Sequence, residues 1–287
     1  MKDLLANVNR GASPSYWFKA LLAFKEQQRT ANPITSSLKH VDPPILEEWY
    51  YQYPFFRLIG LDLSKDTIRC TFSAHSSTGG VRINEDTETS LKSLYAAGEV
   101  TVNQSLPFST FTGKLAGMNA ARSAKEKTWS DLDTQEVNRE EKRLRNLRRV
   151  SEGGIRPAQI KTAIRSVMSE GLHFVKSETS MKTAIEKLDS IESELVPRMT
   201  IASETNRFNY QWVDAIDVEN MLIMSKALLR ASIMRRESRN MFQRSDYPNR
   251  DDRNWLKWIV IKCVKGQMVL NTEEVEFPFL TPQPASS

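Results

Sequence analysis

A run of helix punctuation between Asp133 and Arg239 limits most strongly what this chain can fold into. Asp133 can cap a helix over 134–150, and Gly153-Gly154 ends it. Pro157 suits the first turn of a second helix over 158–175. A third covers 180–195 and stops at Pro197. A fourth, 217–239, carries Val218, Met221, Leu222, Leu228, Leu229 and Ile233 on its apolar side. Amphipathic helices in succession bury their stripes against one another, so this half reads as a bundle. Two strands follow, 258–264 and 267–275, with Lys265-Gly266 as the hairpin turn. Trp255 and Trp258 read as hairpin core.

The first half has a different texture. Residues 15–28 have a helical pattern with Trp17, Leu21, Leu22 and Phe24 on one side. Residues 35–44 read as loop. Residues 47–56 are rich in aromatics: Trp49, Tyr50, Tyr51, Tyr53, Phe55 and Phe56. Such rings can stack bases, but with no Lys or Arg between them they read as core. Strands are expected at 67–72 and 81–83, and a polar turn at 84–93. Leu94-Tyr95-Ala96-Ala97-Gly98-Glu99 reads as a buried strand entering a turn. A helix over 109–124 places Gly113, Gly117, Ala121 and Ala124 at helical spacing. One face is then nearly bare backbone, able to approach a sheet or a flat ligand. The fold class is α+β, with a boundary near Lys127.

Composition narrows the function classes. With 287 residues, 40% hydrophobic and 26% charged, the chain is long enough for a full core without staples. The net charge of +5 is mild and gives no argument for a nucleic-acid partner. Arg139, Lys142, Arg143, Arg145, Arg148 and Arg149 alternate with Glu136, Glu140 and Glu141, which reads as pairing on a solvated helix face. Cys70 and Cys263 give neither a disulfide framework nor a zinc pattern. His40 and His173 have no companions at ligand spacing, so no metal is assigned. No apolar run approaches the ~18–20 residues of a membrane span; the most apolar helix is interrupted by Lys226 and Arg230. The first residues lack the apolar core of a signal peptide. A cytoplasmic protein is expected.

Chemistry concentrates in one order of residues: Ser73, His75 and Gly79-Gly80, then Gly98-Glu99, then a helix opening with Pro107, Ser109 and Thr110. Adjacent glycines let the backbone approach a ligand closely. A carboxylate after a strand can accept hydrogen bonds from ribityl or ribose hydroxyls. A helix N-terminus suits developing negative charge. Together these make half of a flavin site. Singly, a Gly pair is a turn and a lone His is structural.

Two segments carry a family resemblance. The run Ala74-His75-Ser76-Ser77-Thr78-Gly79-Gly80-Val81-Arg82-Ile83, followed by Ser93-Leu94-Tyr95-Ala96-Ala97-Gly98-Glu99-Val100, resembles HYTMGGI…GLYAAGE of the fumarate reductase/succinate dehydrogenase flavoproteins. That family includes aspartate oxidase and the adenylylsulfate reductase alpha subunit. Downstream, Arg236-Glu237-Ser238-Arg239-Asn240, Arg244-Ser245-Asp246-Tyr247-Pro248, Asp251-Asp252 and Asn254-Trp255-Leu256 resemble the RxESRG…HYRxDYPxxDDxNWL signature of its C-terminal helical domain. The resemblance covers about residues 60–277. It implies the C-terminal part of an FAD-binding α/β domain (59–127), a helical bundle domain (128–257) and a hairpin with its tail (258–287). Residues 1–58 would be the end of a capping domain and its return.

The resemblance also implies roles. His75 would contact substrate and Glu99 would bind FAD. Gly79 and Gly80 would line the cofactor, and Ser105-Leu106 would set backbone N–H groups at the flavin pyrimidine edge. Apart from the resemblance, Arg236, Glu237 and Arg239 read as a structural ion network joining the helical and flavin domains, with a role in the site as the alternative.

Departures qualify these roles. The family's loop between AGE and the helix is shortened to Val100-Thr101-Val102-Asn103-Gln104-Ser105-Leu106, and its carboxylate-binding Arg has no counterpart. Ser76 replaces the Tyr after the His. No G-x-G occurs anywhere, so the phosphate-binding fingerprint of a Rossmann half is absent. The expectation is therefore a hetero-oligomeric subunit, or C-terminal half, of an FAD-dependent oxidoreductase. A partner polypeptide would carry the Rossmann half, and an electron-transfer subunit is a further candidate partner. The alternative is a non-catalytic assembly subunit derived from the family.

Overall fold

The computed structural model describes residues 34–70, 79–101, 105–128 and 131–279. The helix expected over 15–28 and His75 both lie outside them. The chain divides into two compact units, Met1–Asp131 and Leu132–Ser287.

In the first unit, β1 (Ile34–Ser37) pairs antiparallel with β2 (Thr67–Cys70), Ile34 opposite Cys70. Residues 35–37 therefore belong to a strand, not to the expected loop. Two short helices, α1 (Pro43–Trp49) and α2 (Tyr53–Leu58), lie between them, each with Pro in its first turn, where a missing N–H costs nothing. Among the described side chains of the aromatic run, Tyr53 is buried with Leu46 and Leu63, and Tyr50 and Phe56 pack against them half-buried. The Tyr53 hydroxyl donates to Asp62 Oδ1 at 2.8 Å. Phe55 is exposed, because a helix this short has one buried side, and Tyr51 in the turn between the two helices is exposed as well.

The long helix α3 (Leu106–Lys125) begins earlier than its pattern suggests, with Ser105 as N-cap accepting from the Phe108 N–H. Gly113 and Gly117 face open space; a Cβ at either meets no atom within 4 Å. Gly113→Ala is therefore expected to stabilise the first unit by about 0.5–1 kcal/mol, read as a higher urea midpoint.

The second unit is built on three helices: α5 (Pro157–Gly171), α6 (Glu178–Ser190) and α7 (Tyr210–Met234). Ahead of them, α4 (Thr134–Asn146) is capped by Asp133, which accepts from Gln135 and Glu136 N–H. Ser177 and Ser180 form a reciprocal capping box at the start of α6. Ile160, Ile164 and Val167 of α5, Met181, Ala184 and Leu188 of α6, and Val218, Leu222 and Leu229 of α7 make one core. These spacings of three, four and seven residues follow the helical period. Gly171 permits the tight α5–α6 crossing, since a Cβ there would sit 2.3 Å from Ala184 Cβ.

On α4, Arg139, Arg143 and Arg145 pair with Glu136, Glu140 and Glu141 on an exposed surface. The bundle is bracketed by Lys161, which bridges Asp214 and Asp217 at 2.6 and 2.7 Å, and by Lys226, which bridges Asp189 and Glu192.

The 240–254 stretch contains β4 (Gln243–Arg244) and α8 (Asp252–Trp255). β4 pairs in parallel with β3 (Val175–Lys176). The terminal hairpin, β5 (Lys257–Val264) with β6 (Gln267–Glu274), turns at Lys265 (φ 49°) and Gly266 (φ 77°). Both are left-handed, as a two-residue I′ hairpin turn requires. Trp258 is exposed rather than core, because the outer face of a two-stranded ribbon has nothing to cover it. Among the described residues, no helix is long and apolar enough to cross a membrane.

Candidate functional site

The expected strands at 81–83 and 94–99 are single bridges, Ile83 to Thr89 and Glu88 to Tyr95. Leu94 is exposed. The polar 84–93 segment explains why: Asn84 Oδ1 accepts from the N–H groups of Asp86 and Glu88, at 3.1 and 2.9 Å. These side-chain bonds draw the backbone into turns that compete with a ladder. Asn119 of α3 anchors this turn by donating to the Asp86 carbonyl at 2.9 Å.

The fold brings together four of the sequence candidates. Gly98 and Glu99 open a 3-10 turn, Gly98–Val100. Gly98 (φ 74°) donates its N–H to Thr112 Oγ1 of α3 at 3.0 Å. A Cβ on Gly98 would lie 3.0 Å from Ser109 Oγ. Gly80 closes on the same turn. Its hypothetical Cβ would stand 2.0 Å from the Thr101 carbonyl oxygen and 2.2 Å from that of Val100. The Val81 N–H donates to Val100 O at 2.8 Å. Gly79 beside it has φ 133° and open space around it. Thus Gly80, Gly98, Glu99 and the first two turns of α3 form one continuous backbone surface.

The Glu99 side chain is exposed. Ser105 and Leu106 mark the start of α3, and Leu106 is 80% exposed. The first turn of α3 contains Pro107, which has no N–H to offer. The Phe108 N–H is taken by Ser105 Oγ. This surface suits the close approach of a flat ring, and an exposed carboxylate suits hydroxyl donors. No group of three or more His, Cys, Asp or Glu side chains placed to hold a metal occurs among the described residues.

The downstream motif folds into a buried charged knot. Glu237 is fully buried. It accepts from Arg235 Nη1 at 2.7 Å, from Arg239 Nε at 2.9 Å and Nη2 at 3.0 Å, and from the Asp251 N–H at 2.9 Å. Burial opposes its charge, but the donors prevail and hold its pKa below the usual value. Arg239 also reaches Asp252 at 2.7 Å. The network therefore runs through Arg235, Glu237, Arg239 and Asp252, all in the second unit. Arg236, the expected member, is exposed.

Arg244 is the residue that sequence reasoning passed over. It is fully buried and forks onto Asp246, Nε to Oδ1 at 2.8 Å and Nη2 to Oδ2 at 2.5 Å. Its Nη1 donates to the carbonyls of Ser232, Ile233 and Arg235, closing the C-terminus of α7. The Arg-x-Asp spacing in Arg244-Ser245-Asp246 was the available signal.

The Arg244 bonds hold the Asp246 carboxyl down to about 2. A carboxylate with a depressed folded value contributes stability above its unfolded pKa, which is lost as pH falls. The second unit should therefore lose stability between about pH 4 and pH 2. Asp246→Asn should flatten that limb of an acid-denaturation curve.

Residues 161–287 match the family described as "Fumarate reductase flavoprotein C-term". The chain is 30% identical over 203 residues to one subunit of the CoM/CoB fumarate reductase of Methanothermobacter marburgensis, covering 66% of this chain and 36% of the relative. It is 26% identical over 220 residues to an uncharacterised FAD-dependent oxidoreductase of Methanocaldococcus jannaschii, covering 73% and 39%. Its fold superposes on FrdA of Escherichia coli quinol fumarate reductase with a TM-score of 0.80 at 24% identity, over 91% of this chain and 48% of that one. The chain thus spans less than half the length of these proteins. Through residues 161–287 and its overall fold, the chain resembles the C-terminal part of the fumarate reductase/succinate dehydrogenase flavoproteins.

Proposed function

We propose that this chain is the C-terminal half of an FAD-dependent oxidoreductase of the fumarate reductase/succinate dehydrogenase type. A partner polypeptide bearing a Rossmann half would complete the FAD site. The observation that carries this reading is the small apolar core among the described residues of the first unit, beside its exposed half-site. Among its described residues only Leu46, Tyr53, Leu63 and Ala116 are buried hydrophobics, whereas the second unit has a full bundle core. Leu91, Leu94, Val100, Leu106, Phe111 and Met118, all near the glycine turn or on α3, are exposed. A domain with so little buried apolar surface gains it by docking.

In the completed site Gly79, Gly80 and Glu99 would line the ribityl end, and Ser105 and Leu106 would border the ring. His75 would face substrate, as the family resemblance implies. FAD, once bound, supplies the hydride or electron transfer, and the protein supplies position and electrostatics. The pyrophosphate would rest on the partner, since this chain has no G-x-G. A cytoplasmic hetero-oligomer with an electron-transfer subunit belongs to the same reading.

The test is co-purification from the native source, with an absorbance spectrum and a mass-spectrometric inventory of chains. A yellow complex containing a Rossmann-bearing companion is expected. In that complex Gly117→Leu, which fills the open face of α3, should abolish association while leaving the second unit folded. A colourless complex overturns the flavin reading. It would favour the alternative, a non-catalytic assembly subunit, in keeping with the missing loop Arg.

A further inference from the structure

Lys176 lies on the two-residue parallel pair β3–β4 and is 8% exposed. Its ammonium donates to two backbone carbonyls, Phe174 and Gln243, each at 3.3 Å. It also sits 4.6 Å from the centre of the Phe242 ring. Among the described residues no carboxylate pairs with it. Directly opposite in the register is Arg244, a second buried cation. Two positive charges thus share one dry clip. The carboxylates nearby are committed elsewhere: Asp246 is forked by Arg244, and Glu178 of α6 is held by Lys182 at 2.7 Å and lies 3.9 Å from Arg244 Nη2.

We propose that the β3–β4 clip is a pH-responsive latch, in which loss of the Lys176 proton tightens the pairing of 175–176 with 243–244 and its return loosens it. The charged groups that face it do not share the switch. Arg244 stays protonated throughout. Asp246 and Glu178 have lowered pKa values and stay ionised above neutrality. Arg236, which acts on Glu178, is likewise fixed. His173, at the start of the α5–α6 connection, is retained in every variant below.

Burial first, and repulsion from Arg244 second, push the Lys176 ammonium down to about 8. The unfolded value is about 10.4. A depressed lysine costs stability in full below the folded value, and the cost disappears as pH rises toward the unfolded one. The latch therefore tightens between about pH 8 and pH 10.

The full-length chain tests this with K176M and K176R. Between pH 7 and 9.5 the wild-type folding equilibrium of the second unit should improve about 25-fold relative to K176M, while K176R, which keeps its charge, should gain nothing. Parallel profiles for wild type and K176R would overturn the latch. Should either variant fail to fold, the wild type decides alone. With 13C-labelled lysine, one Cε resonance should titrate near pH 8, and its absence overturns the proposal.

Discussion

Replacing Arg244 with Ala should destabilise the second unit by about 3–5 kcal/mol, the cost of breaking a buried ion pair and leaving its partner uncompensated. The side chain makes five hydrogen bonds from a fully buried position, two to Asp246 and three to carbonyls at the end of α7. Its loss leaves the Asp246 carboxylate with the Glu178 N–H alone and strands three carbonyls at once. Helix C-terminal carbonyls with no donor are among the groups a fold can least leave dry. At about 2–4 °C per kcal/mol for a unit of this size, the thermal midpoint should fall by roughly 6–20 °C. Arg244→Lys should recover little, because an ammonium cannot fork a carboxylate and reach three carbonyls together. Arg250→Ala, at a half-exposed pair with Asp252, should cost less than about 1 kcal/mol. Equal effects at Arg244 and Arg250, in calorimetry of the full chain, would contradict this account.

Gly80→Ala is the corresponding expectation for the first unit. A Cβ 2.0 Å and 2.2 Å from two backbone oxygens cannot be relieved by rotating a side chain. The 79–81 and 100–101 segments must separate, and the 2.8 Å bond from Val81 N–H to Val100 O is lost. Overpacking costs about 1–3 kcal/mol and the hydrogen bond about 1 kcal/mol more. The small core around Tyr53 has little with which to absorb that. Increased amide exchange over 79–101 should follow, with the bundle unchanged, and flavin retention in the completed complex should fall with it. Gly79→Ala tests the cause. Its φ of 133° strains any L-residue, but its surroundings are open, so the damage should be smaller. Gly113→Ala should raise stability. If Gly80→Ala proved as mild as Gly79→Ala, the close approach at Gly80 would not be what shapes the turn.

The bundle was legible because its helices carry their own boundaries: Asp133, Pro157 and Pro197 stop or start them, and the apolar positions recur at the helical period. The termini moved where tertiary bonds intervened. The last helix was expected over 217–239 and runs from Tyr210 to Met234. Asn209 caps it by accepting from the Trp212 N–H, and Arg244, folding back from β4, takes its final carbonyls. The half-site was legible as a set of residues but not as a shape. Leu94 to Glu99 has the composition of a buried strand, yet no neighbouring strand is present among the described residues to pair with it beyond the Tyr95 bridge. β-Structure depends on such partners more than helices do.

What the sequence determined by itself is local and periodic: the order of the helices, the I′ turn at Lys265-Gly266, the ion-paired face of α4, and the two motifs that carry its family resemblance. Those follow from spacing, caps and backbone preferences that each segment carries alone. What only the tertiary structure decided is which charges are buried together. Arg235 rather than Arg236 joined Glu237, Arg244 became the plug of α7, and Lys176 was set beside it without a carboxylate. Burial belongs to no single residue; it is created when distant segments close over one another, and only then does water stop screening one charge from the next.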